Sequence, residues 1–311
     1  MTAGRKPLGA SQWRQLAGLD KPAVGAEFKA LLICPDDDAP LDWMEQSNRF
    51  VCPHCQRAFE PAQQHLELLP TAEPYALSEP DRLALAQLAA LSADEPLDSV
   101  MWNVLTNRLG DIRGKRVLDL GAGRGKAALW FAAQGAHVAA LDAVAGEGGL
   151  ASIADAANKE NLTIDLIQAD LARLPIASES IDIVFSSRVL AWQRRPERLA
   201  KEIGRVLKPE GRYYAIGEPL GPLPPECLDG RRQTTMAQAD YAGILREGGM
   251  KTETVLADGT DSAIIGVGLL ARLRRSWRIH SSTEDRLLVG QVTPDLQLPQ
   301  IRWKRASAPG A

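Results

Sequence analysis

Residues 117–125 read Val-Leu-Asp-Leu-Gly-Ala-Gly-Arg-Gly, and the next apolar run, His137-Val-Ala-Ala-Leu-Asp142, closes on an acid. An apolar strand thus delivers Asp119 two residues before a glycine turn. Gly121, Gly123 and Gly125 have no Cβ, tolerate positive φ and let the backbone come close to a bound molecule. Lys126 to Gln134, rich in alanine with Leu129, Trp130 and Phe131, reads as the helix that follows. Asp142 then stands where doubly wound folds grip the hydroxyls of a ribose.

Outward from this unit the pattern alternates. Strands are predicted at 116–120, 137–142, 162–169, 181–187 and 212–217, and helices near 125–134, 147–159 and 196–207. Such alternation builds a mostly parallel sheet with helices on both faces, an α/β doubly wound fold. Upstream, Ser78-Glu-Pro-Asp81 starts a helix, with Pro80 in the first turn, and Leu97 to Leu109 keeps helical spacing. Downstream come a helix at about 236–247 and strand-like runs at 252–256 and 286–292. Ala263 to Leu270 fits a strand or a buried turn of helix.

The loop discriminates between cofactors. A dinucleotide site wants Gly-x-Gly-x-x-Gly, and counting from Gly121 the third glycine would fall at Lys126. No Gly-Lys-Ser/Thr closes the loop as a P-loop requires. A carboxylate at Asp119 suits a ligand bearing an ammonium group and repels a pyrophosphate. Arg124 and Lys126 read as solvated first-turn side chains.

In this order the motifs resemble class I S-adenosylmethionine (SAM) methyltransferases over roughly residues 112–220. The resemblance implies a seven-stranded sheet and a cofactor site of Asp119, Gly121, Gly123, Gly125, Asp142, Ala169, Asp170 and Ser186. In it, Asp142 holds the ribose, Gln168-Ala169-Asp170 lies beside the adenine, and the end of strand 181–187 faces the methyl group. Asp182 and the turn Arg205-Val-Leu-Lys-Pro-Glu-Gly211 read as structural. The implied chemistry is methyl transfer, in which the protein supplies alignment and desolvation. Weak candidates on the acceptor side are Arg188, Trp192 and Glu218, while Tyr213 and Tyr214 alternate so that one can face the pocket. No general base stands out.

Residues 31–70 change character, with cysteines, prolines and an acidic cluster. Leu32-Ile-Cys34-Pro-Asp-Asp37-Asp-Ala-Pro40-Leu41, then Cys52-Pro-His-Cys55 and Phe59, resembles the small zinc-ribbon family that activates several RNA and protein methyltransferases as a partner subunit. Asp37 stands where that family has its second cysteine. The resemblance leaves several outcomes open. Cys34, Asp37, Cys52 and Cys55 form a site for structural zinc with three sulfurs and one oxygen; or His54 or another Asp completes it; or the ribbon has lost its metal. A redox reading of Cys-Pro-His-Cys fits less well, because no βαβ unit surrounds it.

The totals bound the function. The chain has 311 residues, a net charge of −3 and four cysteines. That allows one α/β domain with an accessory unit, suits a reducing cytoplasm, and does not mark a general polyanion binder. No signal-like or membrane-spanning run is seen. Acidic residues dominate 36–67 and would repel phosphates, whereas Arg272 to Arg278 forms a basic cluster around Trp277. The organisation is read as an arm (1–30), a ribbon-like module (31–70), a helical linker or lid (71–110), a SAM-binding core (111–220) and a C-terminal part (221–311) with an insertion near 257–285. The expectation is a cytoplasmic methyltransferase acting on a small molecule. The alternatives are an RNA methyltransferase and a non-catalytic SAM-binding partner subunit, with an NAD-dependent oxidoreductase a distant fourth.

Overall fold

The computed structural model describes residues 24–62, 64–72, 100–190, 193, 195–216, 241–257, 261–267 and 288–289. A one-turn helix, α1 (Ala26–Lys29), leads into short strands β1 (Asp42–Met44), β2 (Arg49–Val51), β3 (Ala58–Phe59), β4 (Pro61–Ala62) and β5 (His65–Leu68). After α2 (Val100–Leu109) the alternation begins: β6 (Arg116–Leu120), α3 (Lys126–Ala133), β7 (His137–Asp142), α4 (Leu150–Lys159), β8 (Asp165–Ala169), β9 (Ile181–Ser187), α5 (Pro196–Val206) and β10 (Leu207–Ile216). Then follow α6 (Tyr241–Glu247), β11 (Lys251–Ala257), β12 (Asp261–Val267) and the short β13 (Leu288–Val289). Among the described residues no helix is long and apolar enough to cross a membrane.

The central sheet runs β8-β7-β6-β9-β10-β12-β11. Pairs from β8 to β10 are parallel, and β12 inserts antiparallel between β10 and β11. These seven strands, the central part of a ten-stranded sheet, have the order of a class I methyltransferase fold. Strand order reverses between β6 and β9, the place where open α/β sheets bind ligands. The glycine loop leaves β6 at that crevice.

Two apolar clusters cover the two faces. One joins Trp102, Phe131, Ile153, Phe185 and Tyr214. The other carries the buried stripe of α5 (Leu199, Ala200, Ile203, Val206) and extends through Leu68, Phe59 and Cys52 into the N-terminal module. At helical spacing, that stripe buries one side of α5 while its charged residues stay outside.

Several boundaries differ from the sequence reading. Strand β8 starts at Asp165 rather than 162, and α4 at Leu150 rather than 147. Strand β10 starts at Leu207, because its pairing with β9 resumes after a register shift between Leu207 and Arg212. Within the run that fitted either a strand or a helix, residues through Val267 belong to β12, whose pairing on both sides selects extended chain. The end of the arm packs: Val24 and Phe28 are buried, and the Gly25 amide donates to Asp165 Oδ1 at 2.6 Å. The module does not hang apart. Leu66↔Ile167, Glu67↔Gln168 and Leu68↔Ala169 pair parallel, so β5 covers the open edge of β8. The helix start at Ser78, the basic cluster at 272–278 and most of the run at 286–292 lie outside the described residues.

Candidate functional site: the glycine loop and the cysteine knuckles

The glycine loop is a tight left-handed turn. Gly121, Gly123 and Gly125 have φ of 63°, 53° and 77°. A Cβ on Gly121 would stand 2.7 Å from Val189 Cγ2, and one on Gly125 2.6 Å from Ile153 Cγ1. Glycine is therefore required twice, by backbone angle and by contact. Gly125→Ala is expected to lower stability by about 2–4 kcal/mol, the left-handed cost plus overpacking against α4, read as an earlier urea midpoint.

Two acids flank the loop from below. Asp119 Oδ2 accepts the Ala128 amide at 3.0 Å, so a residue of β6 caps the first turn of α3, whose own cap position is Gly125. Asp142 accepts the Gly123 amide with Oδ2 and the Val144 amide with Oδ1, each at 2.8 Å, tying the loop to the end of β7. Both are buried, and neither is ion-paired among the described residues. Burial pushes the Asp119 carboxyl up to about 8, against the Ala128 hydrogen bond, and the Asp142 charge adds to the rise. Burial also raises Asp142, opposed by its backbone donors. Two such carboxylates make a crevice that favours a cation.

At the end of β8, Asp170 Oδ1 accepts the Ala172 amide at 2.9 Å. Its Oδ2 is buried and has no hydrogen-bond partner among the described residues. An orphaned acceptor there fits an exocyclic amino group, a donor. Ala169 is buried beside it.

The acceptor side is less complete. The Ser186 hydroxyl is fully buried and paired with Tyr213 Oη at 2.7 Å, so its side chain is spent inside the protein. Tyr214 is buried on the other face with its hydroxyl on the Arg108 carbonyl, so neither tyrosine is exposed in a pocket. Arg188 is exposed at the end of β9 with a left-handed φ of 54°, and its amide donates to Ile216 O. Trp192 and Glu218 lie outside the described residues. Asp182 acts structurally, accepting from the Arg116 amide and Lys208 Nζ.

The four metal-candidate side chains converge. Ligand atoms of Cys34, Asp37, Cys52 and Cys55 all lie within 4.8 Å of one another. Cys34 and Cys55 sulfurs are 3.7 Å apart, and Cys52 Sγ is 3.4 Å from each Asp37 oxygen. Two knuckles of the same build hold them. Cys34 and Cys52 each receive an amide four residues on (Asp38, Gln56), and each donates its own amide five residues on (Ala39, Arg57). Asp38 and Gln56 are both left-handed, at φ 62° and 63°. Asp37 thus occupies in the first knuckle the place of Cys55 in the second. His54 does not enter the cluster; its Nδ1 sits 3.1 Å from Asp37 Oδ2, as an outer partner. Burial pushes the Cys34 thiol up to about 12, so the cation-free cluster keeps its proton.

Nothing in the sequence signalled the Asp170 orphan oxygen, which depends on which backbone amide folds back, whereas the matched spacing Cys34-x-x-Asp37 and Cys52-x-x-Cys55 did signal the two knuckles.

Sheet order and loop define the class: a class I methyltransferase fold. Residues 118–215 match the family model described as a methyltransferase domain. Among similar proteins, the biotin biosynthesis bifunctional protein BioHC of Cellvibrio japonicus is 39% identical over 108 residues, 34% of this chain and 20% of that protein. The demethylmenaquinone methyltransferase of Clavibacter sepedonicus is 33% identical over 125 residues, 40% and 50% respectively. The malonyl-[acyl-carrier protein] O-methyltransferase of Enterobacter lignolyticus is 30% identical over 109 residues, 35% and 41%. The chain spans half or less of the length of these relatives. Among solved structures, a SAM-dependent methyltransferase from Aquifex aeolicus covers 60% of this chain and 97% of its own, with 20% identity and TM-score 0.46. The complex of the Haloferax volcanii Trm112 activator with a putative methyltransferase covers 59% and 97%, with 17% identity and TM-score 0.45.

Proposed function

We propose that this protein transfers a methyl group from SAM to a small-molecule acceptor. The observation that carries the reading is the pair of buried carboxylates, Asp119 and Asp142, that lack a cationic partner among the described residues and flank a glycine loop at the switch point of the sheet. In this reading Asp119 faces the methionine ammonium, Asp142 takes the ribose hydroxyls, and the free Asp170 oxygen takes the adenine amino group. Bound SAM supplies the electrophilic methyl; the chain binds it, orients it and excludes water. The Ser186 hydroxyl, held by Tyr213, shapes the wall of the site rather than touching the ligand.

A small acceptor is favoured by the relatives named for demethylmenaquinone and malonyl-[acyl-carrier protein], and by the acidic surface of the module, which repels phosphate. RNA remains the competing acceptor. Calorimetry is expected to show SAM binding and no NAD binding; folded protein that ignores SAM would sink the proposal. Gel shifts across salt concentrations are expected to show no salt-sensitive RNA complex, and the appearance of one would overturn the small-molecule acceptor.

The knuckles support structural zinc on Cys34, Asp37, Cys52 and Cys55. Tetrahedral zinc, with bonds of about 2.3 Å to sulfur and about 2.1 Å to oxygen, sets S···S near ~3.8 Å and S···O near ~3.6 Å. The Cys34–Cys55 separation of 3.7 Å and the Cys52–Asp37 separations of 3.4 Å lie close to these values, and all four ligand atoms lie within 4.8 Å of one another. Metal analysis of purified protein is expected to return one zinc per chain.

A further inference from the structure

The metal knuckle and the adenine-side turn share one hydrogen-bonded joint. Arg173 Nη2 donates to the Asp36 carbonyl at 2.7 Å and lies 3.4 Å from Asp38 Oδ1, the residues on either side of Asp37. The Arg173 amide returns to the Asp170 carbonyl at 3.0 Å. One arginine therefore touches the first metal knuckle with its guanidinium and the Asp170 turn with its backbone. The segment beyond it is clasped as well: the Ile33 amide donates to Pro175 O and the Ala177 amide to Leu31 O. Asp36 is locked from outside by Arg57 Nη1 at 2.7 Å and the Thr71 amide at 2.6 Å. On the ribose side, Glu67 of β5 pairs with Gln168 of β8, whose Nε2 donates to Ala143 O, next to Asp142. Both loops assigned to the nucleoside thus lean on the module.

We propose that Arg173 is a positioning residue that couples the metal knuckle to the cofactor site, so that zinc and SAM each tighten the binding of the other. The inference rests on the assignment of SAM and zinc above. Its physical basis is that Cys34 and Asp37 stand three residues apart in one knuckle, so an ion shared between them would tighten residues 34–38. Arg173 carries that order to the turn presenting Asp170. Coupling of this kind is reciprocal, and typical couplings change affinity by about 5–150-fold.

The test uses the full chain, zinc-loaded or stripped by a chelator, with SAM affinity by calorimetry and chelator competition for zinc. In the native chain, stripping zinc is expected to weaken SAM about tenfold, and SAM to slow zinc loss. Arg173→Gln, kept zinc-loaded, is expected to bind SAM about five- to tenfold more weakly, to lose little more on stripping, and to melt close to the native protein. Arg173→Lys is expected to restore part of the coupling through Asp38. A merely structural arginine would lower melting without removing the zinc dependence of SAM affinity, and that result overturns the proposal. So does a native protein that binds both ligands independently, in which case the cofactor and metal assignments survive. A folded protein that binds no SAM or no zinc overturns the assignments and the coupling together.

Discussion

Asp119→Asn is expected to weaken SAM binding by at least about 100-fold while making the ligand-free protein more heat-stable at pH 8. The two effects have one cause. Asp119 is buried, and burial raises its carboxyl from an ordinary 3.8 to about 8. The folded state therefore binds a proton more tightly than the unfolded chain does. Its stabilising contribution is fully present below about pH 4 and is lost as pH rises through about 8. The ligand-free native protein should melt progressively lower across that window. Asparagine carries no charge to desolvate and still offers an oxygen to the Ala128 amide, so the variant should lose that dependence. An ammonium ligand, however, needs the ionised form. Removing one partner of a buried charged pair costs about 2–5 kcal/mol, which is the source of the expected loss. In the native protein SAM affinity should rise with pH towards 8, then turn down as the SAM amino group, near 7.7–8.0 for α-amines, loses its proton. Calorimetry at several pH values, beside melting curves of both proteins, checks each part. Equal SAM affinity in the two proteins would remove Asp119 from the site.

The second large effect is expected at Cys52. Cys52→Ser should abolish stoichiometric zinc and lower stability by more than about 3 kcal/mol, because metal binding to a structural site is folding free energy. Cys52 is fully buried, its Sγ lies against both Asp37 oxygens, and it belongs to the cluster that runs through Phe59 and Leu68 to the sheet. Loss of the ion therefore loosens the knuckles and also the packing that seats β5 on β8. The complementary change is Asp37→Cys. The first knuckle already has the backbone of the second, so a fourth thiolate should be accepted there and hold zinc more tightly. Metal content and urea midpoints for the three proteins decide the matter. A native protein free of zinc, whose stability Cys52→Ser leaves unchanged, would return the module to a metal-free ribbon.

The glycine loop and its acids were legible in the sequence because they are local. Asp119, the three glycines and Asp142 fall within one strand–loop–helix–strand unit, and backbone sterics plus strand direction place them. The four knuckle residues were legible as a set through spacing and resemblance. The acceptor side was not legible. Ser186 read as a cofactor contact through the resemblance, and its hydrogen bond to Tyr213 at 2.7 Å was not legible, because it depends on the register of the neighbouring strand. Asp170 read through the resemblance as a cofactor residue beside the adenine, and only the way Ala172 takes one of its oxygens leaves the other bare.

The sequence by itself determined the doubly wound alternation, the loop geometry and the kind of charge awaiting a ligand, since each follows from periodicity, glycine and nearby acids. Only the tertiary structure decided where β12 inserts, that β5 pairs with β8 rather than standing alone, and that Arg173 joins the Asp37 knuckle to the Asp170 turn. Those contacts join segments far apart in the chain, and no local propensity encodes them. They are chosen by which sheet edge would otherwise be open and which buried polar groups would otherwise lack partners.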